Sequence, residues 1–226
     1  MHFLLLIIIL LIALALPQWW ATRVIGRHST TRDDIPGTGG ELARHLLDIH
    51  RLEGVAVEST ERGDHYDPEA KVVRLRGEVI HGRSLSAVAI AAHEVSHALQ
   101  DASGHHLLRW RTTLVKFTAN AGKFAMGGLL LSPGVLVMSP SLGRLLIVAA
   151  VLSMLLPTLV HLITLPLELH ASFSVALPTL DRGGYLGSAR DFADVRSILL
   201  ACSLTYVAAS AASLLNVWRW FALLRR

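Results

Sequence analysis

Long apolar stretches alternate with one long polar stretch along the chain. Residues 3–16 are wholly apolar and a pair of tryptophans follows them, as is typical of a membrane–water boundary. Two further stretches, 145–165 and 198–217, carry no formal charge over roughly the 20 residues that a membrane helix needs. A weaker stretch, 124–139, is interrupted by glycines and a proline. The pattern predicts about four transmembrane helices.

The polar stretch from about residue 23 to residue 116 has the periodicity of a small folded domain instead. Thr38, with Glu41 three residues later, is typical of the start of a helix. Short valine-rich runs predict two strands, and a long run without Gly or Pro predicts a second helix that Gly104 ends. In order, the predicted elements are a helix over 39–51, a strand over 55–59, a turn over 64–68, a strand over 71–75 and a helix over 84–101.

These elements divide the chain into five predicted segments. They are an N-terminal transmembrane anchor over 1–22, a folded domain over 23–120, a transmembrane hairpin over 121–166, an extramembrane segment over 167–197, and a C-terminal transmembrane helix with a basic tail over 198–226. The segments predict a mostly α-helical membrane protein with one small α+β extramembrane domain.

Composition and charge fit a multi-pass protein of the cell membrane. Hydrophobic residues make up 52% of the chain and the mean hydropathy is +0.49, which is too apolar for an ordinary soluble domain. The net charge of +4 suits contact with anionic lipid headgroups, whereas the lack of a basic stripe with interleaved aromatics excludes nucleic acid. Arginines at 23, 27 and 32 favour a cytoplasmic folded domain, although the arginines at 144, 219, 225 and 226 favour the opposite orientation.

The pentad His-Glu-Val-Ser-His at residues 93–97 carries the clearest chemistry of the chain. On a helix, positions i and i+4 share a face, so His93 and His97 can offer two imidazoles to one zinc ion. Glu94 lies beside them, where a carboxylate can take a proton from a metal-bound water. The alternative is a buried helix with two incidental histidines. The pentad favours a zincin-like domain.

Catalytic zinc needs a third protein ligand and an open position for water. Glu168 follows the apolar stretch 145–165 almost at once, where an unpaired carboxylate is costly and metal coordination would relieve the cost. Two predicted spans separate His97 from Glu168, which returns the chain to the face where it started. The alternative is a carboxylate exposed at the interface. Glu168 is therefore the predicted third ligand.

Four more residues are candidates for roles around the metal. His170 is two positions after Glu168, which turns it away on a continuing helix, so it is a candidate for a supporting contact or a substitute ligand. Tyr66, His65 and Tyr206 could each donate a hydrogen bond to a tetrahedral oxyanion. Tyr206 could instead pack within the last span, and Tyr66 and His65 could only stabilise their turn. The strand at 72–75 could offer an edge to an extended substrate.

Several stretches together resemble the YugP-type family of bacterial membrane zinc metallopeptidases. They are 38–48 (TGGELARHLLD), 64–68 (DHYDP), 71–75 (KVVRL), 81–84 (HGRS), 91–100 (AAHEVSHALQ), 164–172 (TLPLELHAS) and 204–209 (LTYVAA). The likeness covers nearly the whole chain. Departures from the family pattern are Ser96 in place of a common Gly, His170 in place of an acidic or amide residue, and the apolar-polar pair at 173–174.

The resemblance implies a multi-span peptidase with one Zn²⁺, held by His93, His97 and Glu168, and with Glu94 as the base. The implied partners are a peptide or protein substrate and membrane lipids. Two other functions stay open. A non-catalytic scaffold with a structural zinc predicts a closed four-ligand site, for which His170 is a candidate fourth ligand. A transporter predicts several polar residues that face one another in mid-membrane, and the spans offer few.

Overall fold

The computed structural model describes residues 16–205, apart from the side chains at 129, 151, 154, 155, 157–159 and 161–163. The described chain divides into two compact units, here called the core unit (16–108 and 165–205) and the hairpin unit (109–164). Most of the predicted N-terminal anchor, the greater part of the predicted C-terminal helix and Tyr206 lie outside the described residues.

The described chain is mostly helical with one small sheet. In chain order the elements are α1 (16–27), α2 (Gly39–Ile49), β1 (Ala56–Ser59), β2 (His65–Asp67), β3 (Val72–Leu75), α3 (Gly77–Ile80), α4 (Leu85–Ala102), α5 (His106–Met138), α6 (Pro140–Leu169), a π-helix (His170–Ala176), α7 (Leu177–Arg182) and α8 (189–205).

Helix α2 begins where the capping pattern predicts. The Glu41 amide donates to the Thr38 hydroxyl at 3.2 Å, and the Thr38 amide donates to the Glu41 carboxylate at 2.7 Å. Each bond satisfies an amide that the first turn leaves without a helical partner. A Cβ on Gly39 would lie 2.4 Å from the Val79 carbonyl oxygen, so only glycine lets α2 approach α3 this closely.

The sheet has the strand order β1-β3-β2, with β1 parallel and β2 antiparallel to β3. The two predicted strands are confirmed as β1 and β3, but the predicted turn over 64–68 is largely the strand β2. The turn residues of this segment lie at the ends of β2. Asp64 accepts a hydrogen bond from the Arg76 amide, and Asp67 accepts from the amides of Glu69 and Ala70. The prediction that the strand at 72–75 offers a free edge to substrate is wrong, because β3 is paired with β1 on one side and with β2 on the other.

Helix α4 runs through the centre of the core unit and packs against α2, α3, the sheet and the π-helix. Ser84 caps its first turn by accepting from the Ala87 amide at 3.1 Å. Alanines along its length let these neighbours approach, and nearly every residue from Leu85 to Gln100 is buried. Gly104, with φ at +67°, follows its end as the sequence predicts.

The prediction of four transmembrane helices is wrong for the part of the chain that the structure describes. There, no single helix is both long and apolar enough to cross a membrane. Helix α5 bends by 50° between His106–Gly128 and Leu130–Met138. Pro133 within it has no amide proton to donate to the carbonyl of residue 129, and the loss of that helical hydrogen bond accounts for a break there. The bent pair together has the length and composition of a broken span, while the apolar stretch Pro140–Ala150 is shorter.

Candidate metal centre

Helix α4 presents His93 and His97 from adjacent turns of one face. Their ring centroids are 4.9 Å apart and the ring planes are nearly perpendicular, so both imidazoles can direct a nitrogen at one point. Their exposed fractions are 3% and 2%. The site is therefore screened from bulk water by the packing around α4, which strengthens every electrostatic interaction inside it.

Glu168, at the end of α6, completes a group of three metal-binding donors. One of its carboxylate oxygens lies 3.3 Å from Nε2 of His93 and 3.1 Å from Nε2 of His97. The three candidate donor atoms all lie within 4.8 Å of one another, and Glu168 is fully buried. Donors about 2.0–2.1 Å from a tetrahedral zinc are separated by about 3.3 Å, so the spacing suits zinc.

The proton on His97 can be located from its neighbours. Gln100 donates through its Nε2 to the Leu167 carbonyl at 3.3 Å, which fixes the orientation of its amide. The amide oxygen then faces Nδ1 of His97 at 2.9 Å. Because an amide oxygen accepts and cannot donate, Nδ1 of His97 carries the proton. Its Nε2 is left with a lone pair that points at Glu168.

The proton on His93 follows from a second set of contacts. The Ser172 hydroxyl donates to the Leu199 carbonyl at 3.0 Å, and the same oxygen lies 3.0 Å from Nδ1 of His93. With its proton committed to Leu199, the hydroxyl accepts from Nδ1 of His93. Ser203 adds a further contact to Ser172 at 2.9 Å. His93 therefore has the same tautomer as His97, with its Nε2 lone pair facing Glu168.

Three electron-pair donors thus converge on one buried point, and such a cluster calls for a cation. Without metal, a proton must lie between Glu168 and these Nε2 atoms, because contacts of 3.1–3.3 Å would otherwise join groups that only accept. A bound metal ion takes the place of that proton, and the Glu168 carboxylate is then ionised. Two imidazoles and one carboxylate form a donor set that hydrolytic zinc sites use. The residues present fit zinc.

Of the other predicted residues, Glu94 shares the helix of the two histidines, whereas Tyr66 and His65 make their hydrogen bonds elsewhere. Glu94 is buried on α4 next to His93. Tyr66 donates to Asp101 at 2.7 Å, and burial together with that carboxylate raises the pKa of its phenol, so the hydroxyl keeps its proton. Nδ1 of His65 lies 2.8 Å from the Gly63 carbonyl.

His170 does not join the three converging donors. Its Nδ1 accepts from the Gln100 amide at 3.0 Å, which makes it a supporting contact. Sequence reasoning missed Gln100, Ser172 and Ser203. Gln100 follows His97 by three positions on the same helix face, and this spacing was the available signal. The contacts of Ser172 with Leu199 and Ser203 are tertiary, and the sequence holds no comparable local signal for them.

Comparison with known proteins gives the family of this chain. The model of a family described as "putative neutral zinc metallopeptidase" matches residues 3–225, and the chain belongs to that family. A relative from Bacillus subtilis (strain 168), named "Putative membrane protease YugP", is 37% identical over 218 residues, which cover 92% of this chain and 91% of the relative. No solved structure matches the chain significantly. The family resemblance expected from the sequence is confirmed.

Proposed function

We propose that the protein is a zinc-dependent peptidase in which His93, His97 and Glu168 hold one zinc ion. The observation that carries the proposal is the convergence of two imidazole Nε2 atoms and a carboxylate oxygen on one buried point. Both imidazoles have their other nitrogen committed to a partner, which is the usual arrangement around a metal ligand. Membership of the zinc metallopeptidase family supports the same conclusion.

A zinc ion bound there would supply a Lewis acid that brings the pKa of a coordinated water toward about 7. Glu94, adjacent to His93 on α4, takes the proton released by the attacking water and then returns it to the leaving amine of the cut peptide bond. Gln100 and Ser172 keep the two imidazoles oriented throughout. Glu168 remains ionised and contributes the one negative charge of the proposed ligand set.

The proposed donors to the developing oxyanion are Tyr66, His65 and Tyr206. Tyr66 carries a proton that it can donate, but its hydroxyl would have to leave Asp101 to reach substrate. His65 stands beside it on β2, which packs against α4. The Gly63 carbonyl can only accept, so Nδ1 of His65 carries the proton and Nε2 of the neutral ring has none to donate. His65 would donate to substrate through Nε2 only after its contact with Gly63 opens.

We further propose that the protein acts at a membrane, with peptides or proteins as substrates and lipids as partners. Its relative is named a membrane protease. The bent helix α5 carries the composition of a broken span, and it exposes many large apolar side chains. Examples are Trp110, Phe117, Phe124, Leu130, Leu131 and Val137. Exposed apolar surface of this kind marks contact with lipid or with another protein.

The test is Glu94→Gln in the full-length protein, purified in detergent micelles. We expect zinc content, measured by mass spectrometry, to equal that of the wild type. Cleavage of a fluorogenic casein should fall by roughly 10²- to 10⁴-fold, because only the proton acceptor is lost. Glu53→Gln makes the same chemical change at an exposed site and should leave both readouts unchanged.

Two results would contradict the proposal. Undiminished cleavage by the Glu94→Gln protein with zinc bound would remove Glu94 from the reaction. A wild-type protein that binds one zinc per chain, yet cleaves no unfolded protein or peptide library, would favour the structural-zinc scaffold instead.

A further inference from the structure

We infer that Gln100 is the positioning residue of this site: it holds His97 in one tautomer and ties it to the segment that carries Glu168. The inference rests on the proposed zinc function and deepens it. Gln100 is itself 2% exposed, so its amide cannot exchange its protein partners for water. Its side chain meets His97 at Nδ1, whereas Glu168 meets the same ring at Nε2.

The hydrogen bonds of Gln100 admit one arrangement. A primary amide offers two N–H donors, and these reach the Leu167 carbonyl and Nδ1 of His170, at 3.3 Å and 3.0 Å. The Leu167 carbonyl can only accept, so a flipped amide would oppose its oxygen to another oxygen. With the nitrogen fixed on that side, the amide oxygen faces His97. Leu167 thereby fixes the Gln100 amide, and Gln100 fixes the tautomer of His97.

The same contacts set the distance between two metal ligands. Leu167 and His170 flank Glu168 in the chain, and both are joined to Gln100. Gln100 therefore links the helix that carries His97 to both sides of the third ligand. The junction of α6 with the π-helix falls at this place, where the helical hydrogen-bond pattern changes. The anchor supplied by Gln100 fixes Glu168 at a point where the backbone departs from regular α-helical geometry.

Nδ1 of His93 contacts the Ser172 hydroxyl, whereas Nδ1 of His97 contacts the Gln100 amide, so the two imidazoles have different hydrogen-bond partners. Ser172 is fixed by the Leu199 carbonyl and Ser203, on α8. Loss of Gln100 should therefore disturb His97 and leave His93 oriented. This asymmetry separates a positioning role for Gln100 from a general loosening of the core.

The experiment compares Gln100→Ala, Gln100→Glu and Ser103→Ala in the full-length protein in micelles. Ser103 donates to the backbone carbonyl of Gln100 at 2.9 Å, so Ser103→Ala removes a hydrogen bond at the same helix end without touching a ligand. Zinc affinity is measured by competition with a chromophoric chelator. The tautomers of His97 and His93 are read from long-range ¹H–¹⁵N correlations on ¹⁵N-histidine protein.

We expect Gln100→Ala to weaken zinc binding by roughly 10- to 100-fold, as loss of a partner to a metal-bound histidine usually does. The His97 signals should show a mixture of tautomers, and the His93 signals should keep theirs. Gln100→Glu retains an oxygen opposite Nδ1 of His97 but loses the donors to Leu167 and His170, so it should keep the His97 tautomer and still bind zinc more weakly than the wild type. Ser103→Ala should stay within about threefold of the wild type.

Equal zinc affinity in Gln100→Ala and Ser103→Ala would overturn the inference, as would a mixture of His97 tautomers in the Gln100→Glu protein. If the alanine variant fails to fold, the glutamate variant and the tautomer of wild-type His97 still decide the question. A wild-type His97 without a proton on Nδ1 in the metal-free protein would also overturn it. Lost affinity in a protein that never cleaves peptides would uphold the role of Gln100 and defeat only the proposed function.

Discussion

Replacement of Glu168 by glutamine tests the metal site most directly, because it changes one charge and almost no volume. Glu168 is fully buried, and its carboxylate lies 3.1–3.3 Å from two imidazole nitrogens. Without metal, an amide is better suited to this place than a carboxylate. Its N–H can donate to an Nε2 lone pair, and no buried charge needs compensation. We therefore expect metal-free Glu168→Gln to be at least as stable as the metal-free wild type.

With zinc the order reverses. Removing one partner of a buried charge pair costs about 3–5 kcal/mol, which corresponds to zinc binding weaker by roughly 10²- to 10⁴-fold. Zinc at 1,000 times the wild-type dissociation constant stabilises the native state by about 4.1 kcal/mol. A 10³-fold weaker site would retain about 0.4 kcal/mol of that stabilisation. The zinc-dependent rise in thermal stability should therefore nearly vanish.

The assay is thermal unfolding of wild type and Glu168→Gln with added zinc and with excess chelator. Asp191→Asn is the matched control, since it changes another buried carboxylate of the core unit, one that pairs with Arg32. It should lower stability in both conditions and leave the zinc increment intact. A Glu168→Gln protein that keeps the full zinc increment would refute the assignment of Glu168 as a ligand.

Two further variants probe the surroundings of the site. Ser172→Ala removes the acceptor for Nδ1 of His93, so zinc affinity in the chelator competition should fall roughly 10- to 100-fold, and unchanged affinity would contradict the tautomer assignment. Gly39→Ala places a Cβ 2.4 Å from the Val79 carbonyl oxygen and should lower the free energy of unfolding in urea by about 1–3 kcal/mol, whereas no change would mean that α2 can shift freely.

The pentad and its helix could be predicted because local rules determine them. A run without Gly or Pro and a terminal glycine predict a helix over 84–101, and α4 occupies Leu85–Ala102, with Ser84 as its cap. Glu168 is predicted as the third ligand on a different ground, because an unpaired carboxylate beside an apolar stretch is costly. The structure brings Glu168 to both imidazoles. The same prediction also assumed two membrane spans between His97 and Glu168, and the described helices do not support those spans.

The errors share a physical origin. Hydropathy counts apolar residues but does not register where a helix bends, and Pro133 and the glycines before it break α5. The segment 64–68 carries turn residues, yet pairing with β3 makes a strand of its centre. Partners of the imidazoles also escaped prediction, since Ser172 is 79 positions from His93 in the chain. A count of residue types registers neither the local bend of α5 nor the tertiary contacts that decide the other two cases.

An isolated helix bearing the pentad would leave each imidazole free to change tautomer and to rotate. In the folded chain the direction of each Nε2 lone pair is decided elsewhere: by the Leu167 carbonyl through Gln100, and by the Leu199 carbonyl through Ser172. The backbone carbonyls of Leu167 and Leu199 can only accept hydrogen bonds. They therefore fix the direction of the hydrogen bonds that run through Gln100 to His97 and through Ser172 to His93. The metal-binding geometry is therefore a property of four packed elements, and disruption of α8 should weaken the site even though α8 supplies no ligand among the described residues.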